Sequence, residues 1–476
     1  DWGSFFYFRD PRTEQTWSAG FMPLGRKPDF YQATFSEDKA EISRKDGPFT
    51  TSLECLVSPE DDAEARRVTI TNTTSISKDV ELTSYAELVL APRAADNAHP
   101  AFSKMFVETE YLPELETLLA TRRKRSPSEP EIWTAQFLVW DGLKIGEIEY
   151  ETDRARFIGI GNSRRNPQAI SNGEALSKSV GAVLDPIFAF KLRLRIPAGR
   201  QVKCTLWTVA AASREAVLDL VDRHRQEAAY ERALTLAWTQ AQIQLRHLSI
   251  NHEEAHLYQQ LAGHLIHPDA ALRPSSRYLQ DNMGPQSSLW PHGISGDKSI
   301  LLIRIDDIEH IDLVHEILRA FEYWKTKRLA VDVIILNDRM SSYTQDLQVA
   351  IEALVRKSTT PKVDASHPGT GDVYMLRADL LPPESQRILP AVARVVMIAR
   401  RGDLASQLSR LTIAPEPVPH PAAAMLKAER LFRFGDKELL VGEFHNGIGS
   451  FGDDGREYVT HPSNSLPTPA PWLNVI

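Results

Sequence analysis

This sequence has few cysteines, no long apolar run and no excess of positive charge. It has two cysteines, Cys55 and Cys204, which are too few for a disulfide framework and fit a reducing compartment. No apolar run reaches the roughly 20 residues that a membrane-spanning helix needs. Lys and Arg number 55 against 63 Asp and Glu, so the net charge of −8 gives no basic field for nucleic acid. These scarcities predict a globular chain that does not itself contact a membrane or nucleic acid.

The start of the chain also lacks the features of a natural N-terminus. The first residue is Asp1 and not an initiator Met, and neither the basic segment nor the apolar core of a signal peptide follows it. We therefore interpret the chain as a piece of a longer polypeptide. Its 476 residues suffice for about three domains.

The first 212 residues predict an antiparallel β-sandwich. Short runs rich in β-branched and aromatic residues follow one another between turn residues, for example VTITN, VELTSYAELVL and IWTAQFLVW. Many strands without intervening helices are typical of a sandwich. The runs KLRLRI and QVKCTLWTV alternate on either side of Pro197–Arg200, which predicts a hairpin there.

The period of the apolar residues then changes from strand to helix. Residues 213–272 predict a helical connector, with Ser213 and Asn251 as N-caps. Residues 273–410 predict a small α/β domain, because apolar runs such as ILLIRI and VDVIILN alternate with helical segments, a pattern typical of a largely parallel sheet. Residues 411–430 predict a Pro-rich linker, and residues 431–476 a strand-like tail.

A histidine motif raises the possibility of a metal site. His252, Glu253 and His256 match the H-E-x-x-H pattern, in which two histidines on one helical face hold zinc beside a glutamate base. The competing interpretation is a capping box, because Asn251 and Glu254 have its spacing and place the motif in the first helical turn. A cation there would face the positive end of the helix dipole. We expect no metal and keep a zinc hydrolase as the weaker alternative.

Two further clusters of charged residues, one acidic and one basic, are candidate binding sites by composition. Asp306 and Asp307 follow the strand ILLIRI, where carboxylates suit Mg²⁺ but also cap a following helix, and capping is the preferred interpretation. Residues 122–125 form a basic cluster, RRKR, which we interpret as a solvated turn. No Gly-rich phosphate loop is present in the sequence, and we expect no cofactor.

The loop between the helical connector and the first strand of the α/β domain contains the candidate sugar contacts. Trp290, His292 and Asp297 lie within eight residues together with two glycines. An aromatic surface, a titratable ring and a carboxylate are the composition of a sugar or anion site, whereas Trp290 docked into a domain junction is the structural alternative.

Several long runs closely resemble the cyclic β-1,2-glucan synthases. They are FFYFRD, TWSAGFMP, SPEDDAEARRVTITN, ELTSYAELVL, AHPAFSKMFVETEY, VGAVLDPIFAF, LAWTQAQIQLRHL and LWPHGISGDKSILLIRI. These synthases are large membrane-anchored glucosyltransferases with a region similar to glycosyltransferase family 36, now grouped with the phosphorylases of glycoside hydrolase family 94. The resemblance covers essentially the whole chain. It implies a galactose-mutarotase-like sandwich of the carbohydrate-binding type. It also implies that β-1,2-glucan and the remaining synthase domains are partners, and that the location is the cytoplasmic face of the bacterial inner membrane.

The resemblance implies no catalytic residue in this chain. Active phosphorylases of the family carry their catalytic Asp in an α/α barrel, and the segment after the GISGD loop predicts strands alternating with helices instead. The expected role is therefore carbohydrate binding or structural support of glucan synthesis. Phosphorylase or transferase activity within the chain, with Asp297 as general acid, is the alternative.

The tail resembles the opening of a second sandwich of the same type. The first sandwich lacks its own opening strands, and incomplete sandwiches expose edges that invite pairing. We therefore expect residues 430–476 to complete the N-terminal sandwich.

Overall fold

The structure is a computed structural model, and it divides the chain into two compact units, Asp1–Leu411 and Thr412–Ile476. It describes residues 3–226, 228–267, 270–274, 276, 279, 284–339, 345–358, 371–411, 443–445, 449–452 and 457–460. In the larger unit a two-sheet sandwich precedes a parallel sheet covered by helices. The predicted fold class, a β-sandwich followed by helical and α/β parts, is confirmed.

The sandwich contains fifteen strands in two antiparallel sheets. In chain order they are β1 (Ser4–Arg9), β2 (Thr16–Ser18), β3 (Phe30–Phe35), β4 (Ala40–Asp46), β5 (Phe49–Val57), β6 (Ala63–Asn72), β7 (Lys78–Glu87), β8 (Val107–Leu112), β9 (Thr117–Arg122), β10 (Trp133–Trp140), β11 (Leu143–Lys144), β12 (Glu149–Asp153), β13 (Gly181–Ala182), β14 (Pro186–Ile196) and β15 (Gln201–Ala211). One sheet has the order β11-β14-β7-β1-β2 with β12 beside β14, and the other has the order β13-β8-β9-β10-β15-β6-β5-β4-β3.

The core of the sandwich lies between these two sheets. Trp17 stacks between Phe8 and Phe49, with ring centroids 5.4 and 5.1 Å apart, so aromatic packing joins a short strand of one sheet to the other sheet. Short helices accompany the loops of the sandwich. They are α1 (Arg93–Ala98), α2 (Pro100–Lys104), α3 (Arg154–Ile158) and α4 (Gln168–Ser171), with a 3₁₀ turn at Pro113–Leu115.

The hairpin predicted at Pro197–Arg200 is wrong. Strand β14 pairs with β7, β11 and β12 in one sheet, whereas β15 pairs with β10 and β6 in the other. The four residues therefore connect two facing sheets. Alternating apolar residues fit both arrangements, because each strand turns one face toward a core in either case.

Three helices follow the sandwich, and they pack on different cores. They are α5 (Arg214–His224), α6 (Ala229–His247) and α7 (His252–Ile266). Val217 and Val221 of α5 and Tyr230 of α6 pack on the outer face of the larger sheet. Helix α7 instead contributes Leu261 and Leu265 to the core of the parallel sheet. The helical segment therefore belongs in part to each of the two cores.

The parallel sheet has four strands in the order β18-β17-β16-β19. The strands are β16 (Ser299–Ile305), β17 (Val331–Asn337), β18 (Val373–Arg377) and β19 (Val395–Ile398), and the helices are α8 (Ile311–Thr326), α9 (Asp346–Ser358), α10 (Pro383–Val392) and α11 (Leu404–Ser409). Shorter 3₁₀ turns occupy Ala270–Leu272, Gln286–His292, Ile308–His310, Ala378–Leu380 and Ala399–Arg401. The predicted alternation of apolar strands and helices is confirmed.

Apolar side chains cover both faces of this sheet. Leu301 and Ile303 point to the face that is covered by helices α7, α8 and α9. Ile300 and Leu302 point to the other face, which α10 and the turn at Gln286–His292 cover. Burial on both faces explains why these strands read as unbroken apolar runs.

The second unit is described only in part. Its described residues include β20 (Gly449–Phe451) and β21 (Tyr458–Thr460), which pair with each other antiparallel. The predicted Pro-rich linker, apart from Leu411, lies outside the described residues. The expectation that the tail completes the sandwich stays a prediction. No helix in the described part of the chain is long and apolar enough to cross a membrane.

The placement of α7 in the core of the parallel sheet generates a stability prediction. Leu261 is fully buried there, so Leu261→Ala removes apolar contacts and leaves a cavity. We expect a loss of about 2–5 kcal/mol in the free energy of unfolding. Gln260→Ala, on the exposed side of the same helix, should change it by about 0.5 kcal/mol or less. Denaturant unfolding of both variants measures this, and equal effects would show that α7 does not pack on the sheet.

Candidate functional site

The loop that contains the candidate sugar contacts is held against the parallel sheet by two apolar anchors. Leu289 and Ile294 are 1% and 0% exposed and pack with Ile300 and Leu302. Between them, Gly293 ends the 3₁₀ turn in the left-handed conformation, with φ of 74°. Such a φ favours glycine, which explains the residue at this position. Apolar anchors on both sides of the turn fix the conformation of the loop.

The loop turns Trp290 outward. Its side chain is 62% exposed, although the residue before it is buried. The structural alternative, in which Trp290 docks into a domain junction, is therefore not what the structure shows. An exposed indole on an anchored loop offers a flat apolar surface for a ligand.

The other two predicted contacts have separate partners. His292 Nε2 lies 2.9 Å from Ser385 Oγ of helix α10. Asp297 Oδ1 accepts a hydrogen bond of 3.1 Å from Gln286 Nε2, which also donates to the Ser295 carbonyl at 2.8 Å. No direct hydrogen bond joins Trp290, His292 and Asp297 among the described residues. The structure thus places the three on one loop, and Gln286 is a further polar group there that the sequence reasoning missed.

The histidine motif forms the start of helix α7, and its geometry is that of a capping box. Asn251 Oδ1 accepts from Glu254 N at 2.8 Å, and Glu254 Oε2 accepts from Asn251 N at 2.9 Å. His252 Nδ1 lies 3.3 Å from Glu37 Oε1, and His256 Nε2 lies 2.9 Å from Gln260 Nε2. Among the described residues, no group of three or more His, Cys, Asp or Glu side chains is positioned to hold a metal ion.

The other two charged clusters have structural roles. Asp307 Oδ1 accepts from Glu309 N at 3.1 Å and so caps the turn before helix α8, which confirms the capping interpretation. In the basic cluster, Arg123 Nε and Arg125 Nε each lie 3.1 Å from a carboxylate, Glu108 and Glu129 respectively. Exposed ion pairs of this kind are worth little in stability.

A second candidate site, which the sequence reasoning missed, is a cavity of about 510 Å³ beside the sandwich. The turn between β3 and β4, the end of β5, helix α6 and Lys327 surround it. Exposed Phe35 and the amides of Gln240 and Gln244 are among its lining groups. Lys327 Nζ donates to the Glu37 carbonyl at 3.1 Å. Partial burial lowers the pKa of Lys327, although Glu37 and Asp38 oppose the shift.

Sequence reasoning missed this cavity because its walls come from distant segments. One aromatic residue and several amides and carboxylates provide the mixture of apolar and hydrogen-bonding surface that a sugar ring requires. None of these residues forms a local motif, and only the packing of α6 beside β5 brings them together.

The first part of the chain matches the model of a known protein family. Residues 1–227, which cover the whole two-sheet sandwich and helix α5, match the family model "Glycosyl hydrolase 94, supersandwich domain". The two-sheet sandwich is therefore similar to the supersandwich domain of glycosyl hydrolase family 94. The sandwich that the resemblance implied thus coincides with the residues that match this family model.

Two relatives and one solved structure are similar to all or part of this chain. The whole chain is 36% identical over 481 aligned residues to cyclic beta-(1,2)-glucan synthase NdvB of Rhizobium meliloti, and it spans 17% of that protein's length. Over 216 residues it is 24% identical to solabiose phosphorylase of Paenibacillus borealis, an alignment that covers 44% of this chain and 26% of the phosphorylase. A bacterial glucoamylase complexed with acarbose shares 7% identity at a TM-score of 0.31, over 50% of this chain and 31% of that one. The predicted resemblance to the cyclic glucan synthases is confirmed by the first of these.

The capping box generates a prediction that separates it from a zinc site. Asn251→Ala removes the acceptor for Glu254 N, so we expect a loss of about 0.5–2 kcal/mol in the free energy of unfolding. Treatment of the wild-type protein with a chelator should change neither its melting temperature nor its helix content. Stoichiometric zinc in the purified protein, together with destabilisation by the chelator, would contradict the capping interpretation.

Proposed function

We propose that this chain is a region of a cyclic β-1,2-glucan synthase and that it holds glucan while the transfer chemistry takes place elsewhere in the parent polypeptide. Support comes from the 36% identity over the full chain to such a synthase and from the supersandwich domain of a carbohydrate-active family. Because the chain spans 17% of that relative, the activity of the whole synthase belongs to this proposal as well.

The observation that carries the proposal is the exposed indole of Trp290 on an anchored loop. A pyranose ring has an apolar face of C–H groups and an edge of hydroxyls. The indole at 62% exposure covers the apolar face, while the exposed carboxylate of Asp297 on the same loop offers an acceptor to hydroxyls. Because Leu289 and Ile294 already fix the loop, little conformational entropy is lost when the sugar binds.

The surroundings of Asp297 favour binding over catalysis. Its carboxylate is exposed and accepts a hydrogen bond from Gln286. A general acid for a glycosidic bond acts with a second carboxylate or a phosphate on the other side of the sugar ring. An open loop with one carboxylate suits a sugar contact, so the proposal assigns no catalytic residue to this chain.

The remaining synthase domains are the proposed protein partners. Strand β3 is an edge strand, and all six of its residues are exposed, among them Phe30, Tyr31 and Phe35. Uncovered apolar edges of this kind invite pairing with another segment. We assign this edge to contacts within the parent polypeptide.

The proposed location is the cytoplasmic face of the bacterial inner membrane, as part of a membrane-anchored parent. Cys55 and Cys204 are both free thiols in this structure, and unpaired cysteines agree with a reducing compartment.

Calorimetric titration with linear and cyclic β-1,2-glucans tests the proposal. We expect saturable binding, and we expect Trp290→Ala to weaken it roughly tenfold or more because an indole face leaves water on binding. Trp238→Ala is the matched control, since Trp238 on helix α6 is also exposed, at 56%, but lies outside the loop.

Two outcomes would contradict the assignment. If neither glucan binds the folded protein, the role of the chain is structural support. If Phe35→Ala weakens binding and Trp290→Ala does not, the glucan site is the cavity beside the sandwich instead of the loop.

A further inference from the structure

A cavity of about 490 Å³ lies at the end of the parallel sheet where strands β16 and β19 finish. Arg304 of β16 and Ile398 of β19 are register partners, and both line it. The chain runs from β16 through β17 to β18 on one side and then returns to place β19 on the other side of β16. Such a reversal opens a crevice at the carboxyl ends of the strands, the usual place for ligands in open α/β sheets. We name this space the arginine cavity.

Five arginines line the arginine cavity, and no described lining residue is acidic. They are Arg273, Arg304, Arg400, Arg401 and Arg410. Nearby carboxylates offset part of this charge. Arg304 Nε lies 2.7 Å from Asp338 Oδ2, and Arg400 Nη1 lies 3.8 Å from Asp306 Oδ2.

The other arginines are less compensated. Hydrogen bonds from Ser406 lower the pKa of Asp403, and the positive charge of Arg410 lowers it further. Asp403 therefore interacts with Arg410 by charge, without a direct ion pair between them. Arg273 and Arg401 have no ion-pair partner in the described part of the chain. The cavity therefore concentrates positive charge in a chain whose net charge is −8, and such a local field attracts an anion.

Arg273 has a donor without a partner among the described residues. Its Nη2 donates to the Ala391 carbonyl at 3.2 Å, which ties the side chain to helix α10. Its Nε is buried and has no hydrogen-bond partner among the described residues. The one described hydrogen bond of Arg273 uses Nη2, so further N–H groups of this guanidinium remain for a ligand in the cavity that the residue lines.

The chemistry of the lining selects the class of ligand. Guanidinium groups bind phosphate oxygens through paired hydrogen bonds, and several of them together suit a ligand with more than one negative charge. Leu272, Pro390, Val396 and Ile398 add an apolar wall that can cover an uncharged body. The volume lies within the range of small-molecule sites.

We propose that the arginine cavity binds a phosphorylated small molecule that carries at least two negative charges. This site is separate from the glucan contacts assigned to Trp290, and either assignment can fail without the other. The phosphate is held by arginine side chains from four segments of the chain, which explains why no Gly-rich phosphate loop precedes it in the sequence.

The test uses inorganic pyrophosphate as the probe, titrated calorimetrically into the full chain at roughly physiological salt, where weak surface binding is screened. We expect saturable binding of one pyrophosphate per chain. Arg401→Ala should weaken it roughly tenfold, since a charge-assisted contact is lost. Arg273→Lys keeps the charge but removes the planar fork, and it should weaken binding similarly. Unchanged melting temperatures without the probe confirm that both variants fold.

Arg123→Ala is the matched control. It also removes one exposed positive charge, but it does so in the sandwich, where Arg123 pairs with Glu108. We expect wild-type affinity for pyrophosphate. Absence of saturable binding, full affinity in Arg401→Ala, or an equal loss in Arg123→Ala would overturn the proposal, the last because binding would then follow net charge alone.

Two organic probes test which uncharged group, a nucleoside or a sugar, accompanies the phosphate of the ligand. ADP presents a nucleoside, and glucose 1-phosphate presents a sugar, beside the same phosphate chemistry. Tighter binding of one of them than of pyrophosphate would support the proposal and identify the body that the apolar wall accepts. Weaker binding of both would overturn the assignment of an organic ligand to this cavity.

Discussion

Burial of both faces of the four-stranded parallel sheet is the constraint on which the rest of the α/β part depends. Strands β16 and β17 are apolar on each side, so each face needs a cover that excludes water. Helices α7, α8 and α9 cover one face. On the other face, α10 shares this task with the loop at residues 286–294, whose Leu289 and Ile294 complete the core.

Both proposed sites follow from this way of covering the sheet. A loop that serves as a cover has buried anchors, and the residues between them turn outward, which puts Trp290 in solvent on a fixed backbone. At the carboxyl ends of β16 and β19 the cover stops, and arginines from the surrounding segments line the space that remains. The proposed glucan site thus lies on the loop that covers one face of the sheet. The proposed anion site lies at the edge of the sheet, where the covering helices and loop end. The sandwich, which is similar to the glycosyl hydrolase 94 supersandwich, contacts this arrangement through the helices that follow it.

Local patterns predicted the elements well, because helix caps and apolar periodicity act over a few residues. The capping box at Asn251 and the cap at Asp307 are examples, as is each strand of the parallel sheet. The connection at Pro197–Arg200 was predicted wrongly, since alternation along β14 and β15 does not reveal which sheet each strand joins. Trp290 could be found by composition, whereas neither cavity could, since packing assembles each from segments that are far apart in sequence.

Hydrogen–deuterium exchange of the protein with and without saturating linear β-1,2-glucan tests the central claim most directly. The account predicts slower exchange in peptides that cover residues 286–298 and unchanged exchange in the buried strands of the sandwich, such as β14. Binding of glucan with protection confined to the sandwich, and none in the loop around Trp290, would contradict it.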